Sequence, residues 1–92
     1  MNIGGAIRNI RVQKGITQKS LAELAEVQQN TMSQIELGNS FPQKSTLGKI
    51  CKALEISSAY LLFLSISEED VPKDKRETFK YLKIPLEEFL KN

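Results

Sequence analysis

Between residues 28 and 34 the chain carries Gln28, Gln29, Asn30, Thr31, Ser33 and Gln34, a density of amides and hydroxyls that packing does not require. An Asn or Gln amide holds a donor and an acceptor side by side, so it can bond an adenine edge through two parallel hydrogen bonds. This is chemistry of recognition. Residues suited to bond-breaking are scarce, with no histidine, one cysteine, no glycine-rich phosphate loop and no metal-ligand spacing. Glu68-Glu69 and Glu87-Glu88 are adjacent in sequence and read as solvated pairs. The expectation is a binding protein and not an enzyme, with no metal, cofactor or small-molecule ligand. An ordinary solvated helix face would carry similar residues, so the surrounding elements must decide.

The net charge of +2 hides an uneven distribution. Residues 1–52 hold seven Lys and Arg against three Glu, whereas the remainder holds six basic and eight acidic groups. A basic half can attract a polyanion such as nucleic acid. Ninety-two residues, 40% of them hydrophobic, suit one compact domain with a modest core, and oligomerisation is a natural source of further stability. The single Cys51 excludes an intrachain disulfide and fits a reducing, cytoplasmic location. No apolar run is long enough to span a membrane, and the N-terminus lacks the order of a signal peptide.

The elements that must position the amides are helices. Asn2 can cap a first helix whose Ile3, Ile7 and Ile10 share a face, and Gly15 is a good stop for it. Thr17 can cap a second helix with Leu21, Ala22 and Ala25 turned inward. A tight turn near Ala25-Glu26-Val27 leads to a third helix, residues 28–37, ended by Gly38. Its inward residues are few, Met32 and Ile35, and Gln29, Asn30, Ser33 and Gln34 face outward. After the loop Asn39-Ser40-Phe41-Pro42, a fourth helix carries Leu47, Ile50, Cys51 and Leu54 at core spacing, which makes Cys51 a small core residue. Ser57 or Ser58 caps a fifth helix in which residues 59–64 are all apolar. A helix apolar on every side wants burial on every side. Beyond Ser67 the acidic run Glu68-Glu69-Asp70, a charged stretch and a segment after Pro85 read as one or two short helices.

Residues 15–38, G-I-T-Q-K-S-L-A-E-L-A-E-V-Q-Q-N-T-M-S-Q-I-E-L-G, followed by Pro42 and the Leu47/Ile50/Leu54 stripe, resemble the Cro and lambda-repressor-like helix-turn-helix family. The resemblance covers residues 3–64, about two thirds of the chain. It implies an all-α fold, a five-helix DNA-binding domain over residues 1–66 with a short helical extension over residues 67–92. In that family the second helix of the motif lies in the major groove. Carried over by position, Gln29, Asn30, Ser33 and Gln34 would meet base edges. Gln18 would meet a phosphate at the start of the second helix, and Asn39, Ser40, Gln43 and Lys44 would hold the DNA backbone on the other side. Arg11 and Glu36 look like the pair that braces the first helix to the third in several family members.

Three departures stand out. Glu26 occupies a turn position where the family usually has glycine, at a cost of about 1 kcal/mol. The third helix has no Lys or Arg, so it cannot read guanine through a bidentate arginine. Leu24 and Leu37 stand where polar residues are commoner.

The function implied is a sequence-specific regulator of transcription acting on double-stranded DNA, a homodimeric repressor. Tyr60, Phe63 and Leu64 on the apolar fifth helix would form the dimer interface. An antitoxin or restriction-modification controller would use the same DNA-binding head. A protein-binding helical adaptor that does not touch DNA is the competing class.

Overall fold

The computed structural model describes residues 1–91 and consists of six α-helices in the order α1 (Ile3–Gln13), α2 (Gln18–Leu24), α3 (Gln29–Leu37), α4 (Lys44–Leu54), α5 (Ser58–Ser65) and α6 (Arg76–Leu90). Two single 3₁₀ turns, Glu68–Asp70 and Lys73–Lys75, connect α5 to α6, and no strand is present among the described residues. The all-α class is as the sequence implies.

Side chains start three of the helices. Asn2 accepts from the Gly5 N–H, Thr17 from that of Ser20 and Ser57 from that of Tyr60, each satisfying one orphan donor of a first turn. Four helices end alike. The N–H groups of Gly15, Glu26, Gly38 and Glu55 bond the carbonyls three residues back, and those of Ile16, Val27, Asn39 and Ile56 reach five residues back. This is the Schellman turn, which needs a left-handed residue after the helix. Gly15 (φ 71°) and Gly38 (φ 84°) adopt that conformation without steric cost, whereas Glu26 (φ 58°) and Glu55 (φ 60°) adopt it against the preference of an L side chain. The strain expected at Glu26 is therefore real, and Glu55 repeats it at a position the sequence did not flag.

Ile7, Leu21, Met32, Ile35, Ile50, Leu54 and Leu61 are fully buried, so each of the first five helices contributes to one core. Removing such a side chain from water stabilises the fold by about 1.5–3 kcal/mol. Gly4 lets α1 cross α3 closely. A Cβ there would collide with the Ile35 carbonyl oxygen and come within 2.9 Å of that of Glu36.

Two expectations for the C-terminal part change. Pro85 does not divide the last segment. It lies inside the single helix α6, where it leaves the Tyr81 carbonyl without its helical donor. Tyr81 and Pro85 are both exposed, so water can replace that bond. The apolar α5 is covered by its own chain, through α1, α4 and α6. Phe63 is only 8% exposed, which removes it from the surface proposed for a partner, while Tyr60 and Leu64 are half-buried beside α1 and α6. The exposed apolar surface lies instead on α6, where Tyr81 is 77% and Phe89 82% exposed. The junction before α6 is tied to the start of the chain. The Met1 ammonium donates to Asp70 Oδ1 at 2.6 Å, which with the Ser67 N–H holds the Asp70 carboxyl below its ordinary pKa.

Candidate nucleic-acid interface

The helix α3 is held by one face. Met32 and Ile35 enter the core, and Glu36 beside them is buried although charged. The structure brings Arg11 and Glu36 together: Arg11 Nε donates to Glu36 Oε2 at 2.8 Å and Nη2 to Oε1 at 3.0 Å. Arg11 Nη1 also donates to the Ile16 carbonyl at 2.9 Å. With side chains 13% and 3% exposed, the pair is a two-pronged brace that fixes α3 against α1 and against the loop before α2. A wrongly rotated α3 would lose it.

Gln18 joins this brace. Its Nε2 donates to Glu36 Oε1 at 3.2 Å, and the residue is half-buried. The sequence placed Gln18 toward a phosphate and did not reveal this link, which connects α2 to α3 through side chains eighteen residues apart. One N–H and the amide oxygen of Gln18 stay available at the start of α2.

The opposite face of α3 is polar. Gln29 and Asn30 are exposed, Ser33 and Gln34 half-exposed, and Met32, Ile35 and Glu36 occupy the other side. Among the described residues, Gln29, Asn30 and Ser33 use no side-chain hydrogen bond within the chain. Gln34 accepts from Asn39 Nδ2 at 3.0 Å. The stripe ends on apolar groups, Leu37 at 68% exposure and Phe41, in the next loop, at 63%. Asn39, Ser40, Gln43 and Lys44 are all exposed, and Pro42 between them is buried and anchors the loop. Gln43 flanks the first residue of α4 without capping it through its side chain, so its amide also points to other uses.

The arrangement is therefore a rigid helix presenting amides and a hydroxyl, with a loop bearing amides, a hydroxyl and the Lys44 ammonium beside it. Such groups hydrogen-bond base edges and phosphate oxygens. Nothing similar exists for catalysis: among the described residues no cluster of His, Cys, Asp and Glu could hold a metal. Cys51 is buried, and burial pushes its thiol pKa up, away from the reactive thiolate. No helix among the described residues is long and apolar enough to cross a membrane.

Residues 4–68 match the family model described as a helix-turn-helix domain. Among solved structures, two of the clp gene regulator ClgR from Corynebacterium glutamicum are similar. One has a TM-score of 0.67 and 33% identity, covering 70% of this chain and 83% of that one. The other has a TM-score of 0.71 and 26% identity, covering 94% and 92%. Multiprotein-bridging factor 1 of Debaryomyces hansenii is 38% identical over 56 residues, which are 61% of this chain and only 37% of that protein.

Proposed function

The chain belongs to the helix-turn-helix domain family, and from that premise we propose that it is a DNA-binding regulator of transcription, a dimeric repressor without catalytic activity. The observation that carries the reading is the outward face of α3, whose amides are turned away from the core while the Arg11–Glu36 brace fixes the helix from behind. In this reading α3 lies in the major groove, with Gln29, Asn30, Ser33 and Gln34 at base edges. Gln18, Asn39, Ser40, Gln43 and Lys44 hold phosphates and set the register. The similarity to a clp gene regulator supports the regulatory role.

The exposed apolar side of α6 supports dimerisation, with Tyr81, Ile84 and Phe89 extending the surface first assigned to Tyr60, Phe63 and Leu64. A two-fold pair would set two α3 helices about 34 Å apart, one turn of DNA. Such a regulator works in the cytoplasm on double-stranded DNA.

A protein-binding adaptor is the second reading. It is favoured by the absence of Lys and Arg from α3 and by the match to a multiprotein-bridging factor. Titrating the protein against duplex DNA from its own upstream region at several salt concentrations, with the mass of the complex determined, separates the two. Phosphate contacts make log affinity fall with log salt by about 0.9 per contact. A steep slope with a complex of two chains supports the proposal. Absence of salt-dependent binding to that duplex and to random duplexes favours the adaptor.

A further inference from the structure

Three of the four Schellman turns close with an apolar side chain. Ile16, Val27 and Ile56 each follow the left-handed residue and pack against the core. A hydrophobic contact between that residue and the last turn of the helix commonly accompanies this motif. The helix α3 departs from the pattern. The residue after Gly38 is Asn39, and the turn delivers it to Gln34, because the Asn39 N–H bonds the Gln34 carbonyl at 3.0 Å. Their side chains then meet in a second bond, Asn39 Nδ2 to Gln34 Oε1, also 3.0 Å. An amide pair stands where the other three helices carry an aliphatic contact, and one member of it is on the outward face of α3.

We propose that Asn39 is a positioning residue for base recognition, which fixes the way round that the Gln34 amide faces the groove. The inference rests on the reading of α3 as the base-contacting helix. A carboxamide is planar, so a donor held at Oε1 turns Nε2 to the other side. Gln34 then presents two N–H groups, with one lone pair remaining on Oε1. Adenine satisfies this arrangement through N7 and N6, and guanine through N7 and O6. Cytosine offers only the N4 donor and leaves the amide N–H groups without an acceptor. The pair thus makes Gln34 discriminate a purine from cytosine on the strand it faces. A residue serving only as a backbone contact would have no such effect, since phosphate contacts carry no sequence information.

The test uses the full chain and a duplex selected from a random pool. The base pair read by Gln34 is the one whose discrimination is lost in Gln34→Ala. All four bases are then placed there, and affinities are measured for the parent, Asn39→Ala and Asn39→Asp, with random duplex as reference. Unchanged helix content and unfolding midpoint confirm the fold. With Asn39→Ala the Gln34 amide can face either way, and guanine-over-cytosine discrimination at that pair is expected to fall roughly fivefold or more, with other positions unchanged. In Asn39→Asp the carboxylate only accepts, so it draws the Gln34 N–H toward itself and turns Oε1 outward. The preference should then invert toward cytosine, beneath a uniform loss from the added negative charge. In a Gln34→Ala background neither substitution should move the preference.

A loss in Asn39→Ala that is equal for all four bases and for random duplex would overturn the inference and leave Asn39 as a backbone contact. Failure of the parent to select any sequence would instead defeat the reading of α3, and the inference with it.

Discussion

Replacing Arg11 by methionine keeps much of the side chain's length and deletes three hydrogen bonds, two to Glu36 and one to the Ile16 carbonyl. The Glu36 carboxylate, 3% exposed, would keep only the Gln18 amide as a partner. Removing one member of a buried ion pair costs about 3–5 kcal/mol, because the other charge is left without compensation. The stranded Ile16 carbonyl adds on the order of 1 kcal/mol, which puts Arg11→Met at the upper end of that range. Glu36→Leu should cost less, about 3 kcal/mol, since the guanidinium is 13% exposed and retains the Ile16 carbonyl. The double variant removes both charges and should return to within about 1 kcal/mol of the parent, as hydrophobic replacement of buried pairs often does. Urea unfolding followed by far-ultraviolet circular dichroism measures all three, and unchanged slopes against urea would show that the denatured state is not the cause. A domain stable by about 5–15 kcal/mol registers such losses clearly. Single-site losses below about 1 kcal/mol would mean the pair behaves as a surface contact. A double variant as unstable as Arg11→Met would equally refute the reasoning.

Gly4→Ala should destabilise by about 3 kcal/mol or abolish folding, because its Cβ meets the backbone of α3. Gly48→Ala should instead stabilise by about 0.5–1 kcal/mol, since a Cβ there meets nothing within 4 Å and helix propensity improves; thermal unfolding of the two variants checks the contrast. Glu26→Gly should gain up to about 1 kcal/mol by relieving the left-handed backbone, with little lost from the exposed 3.8 Å contact to Lys49. A loss of stability on urea titration would contradict that account. Cys51, 4% exposed with its pKa raised by burial, should react with a disulfide reagent at least about 10³-fold more slowly in the native protein than in denaturant. Labelling within tenfold of the unfolded rate would show that the α4 core opens readily.

The parts of the fold legible in the sequence are those set by local chemistry. Caps at Asn2, Thr17 and Ser57 and stops at Gly15 and Gly38 each act within one turn, so the residue type alone announces them. Glu55 takes the same left-handed conformation as Gly15, but glutamate gives no such signal, because its backbone strain is offset by packing elsewhere. The Pro85 expectation failed for a related reason. Proline ends a helix when the lost bond is buried, and here water reaches the freed carbonyl.

For the site, the polar face of α3 was readable from helical spacing, and its brace from resemblance to known regulators. The side-chain links were not readable. Gln18 to Glu36 and Asn39 to Gln34 depend on how turns bring helix ends together, which no periodicity encodes. The cover of α5 also depends on tertiary arrangement, since an apolar helix does not say whether its partner is another chain or its own α6.

The central claim is that α3 reads bases from a frame held by phosphate contacts. It is tested most directly by the affinity ratio between a selected duplex and a random one, measured for the parent and Asn30→Ala across a salt series. The account predicts that Asn30→Ala lowers the ratio by about 5- to 150-fold, equivalent to about 1–3 kcal/mol, while both proteins keep the same steep salt dependence. Equal losses on selected and random DNA, or a ratio unchanged by the substitution, would contradict it.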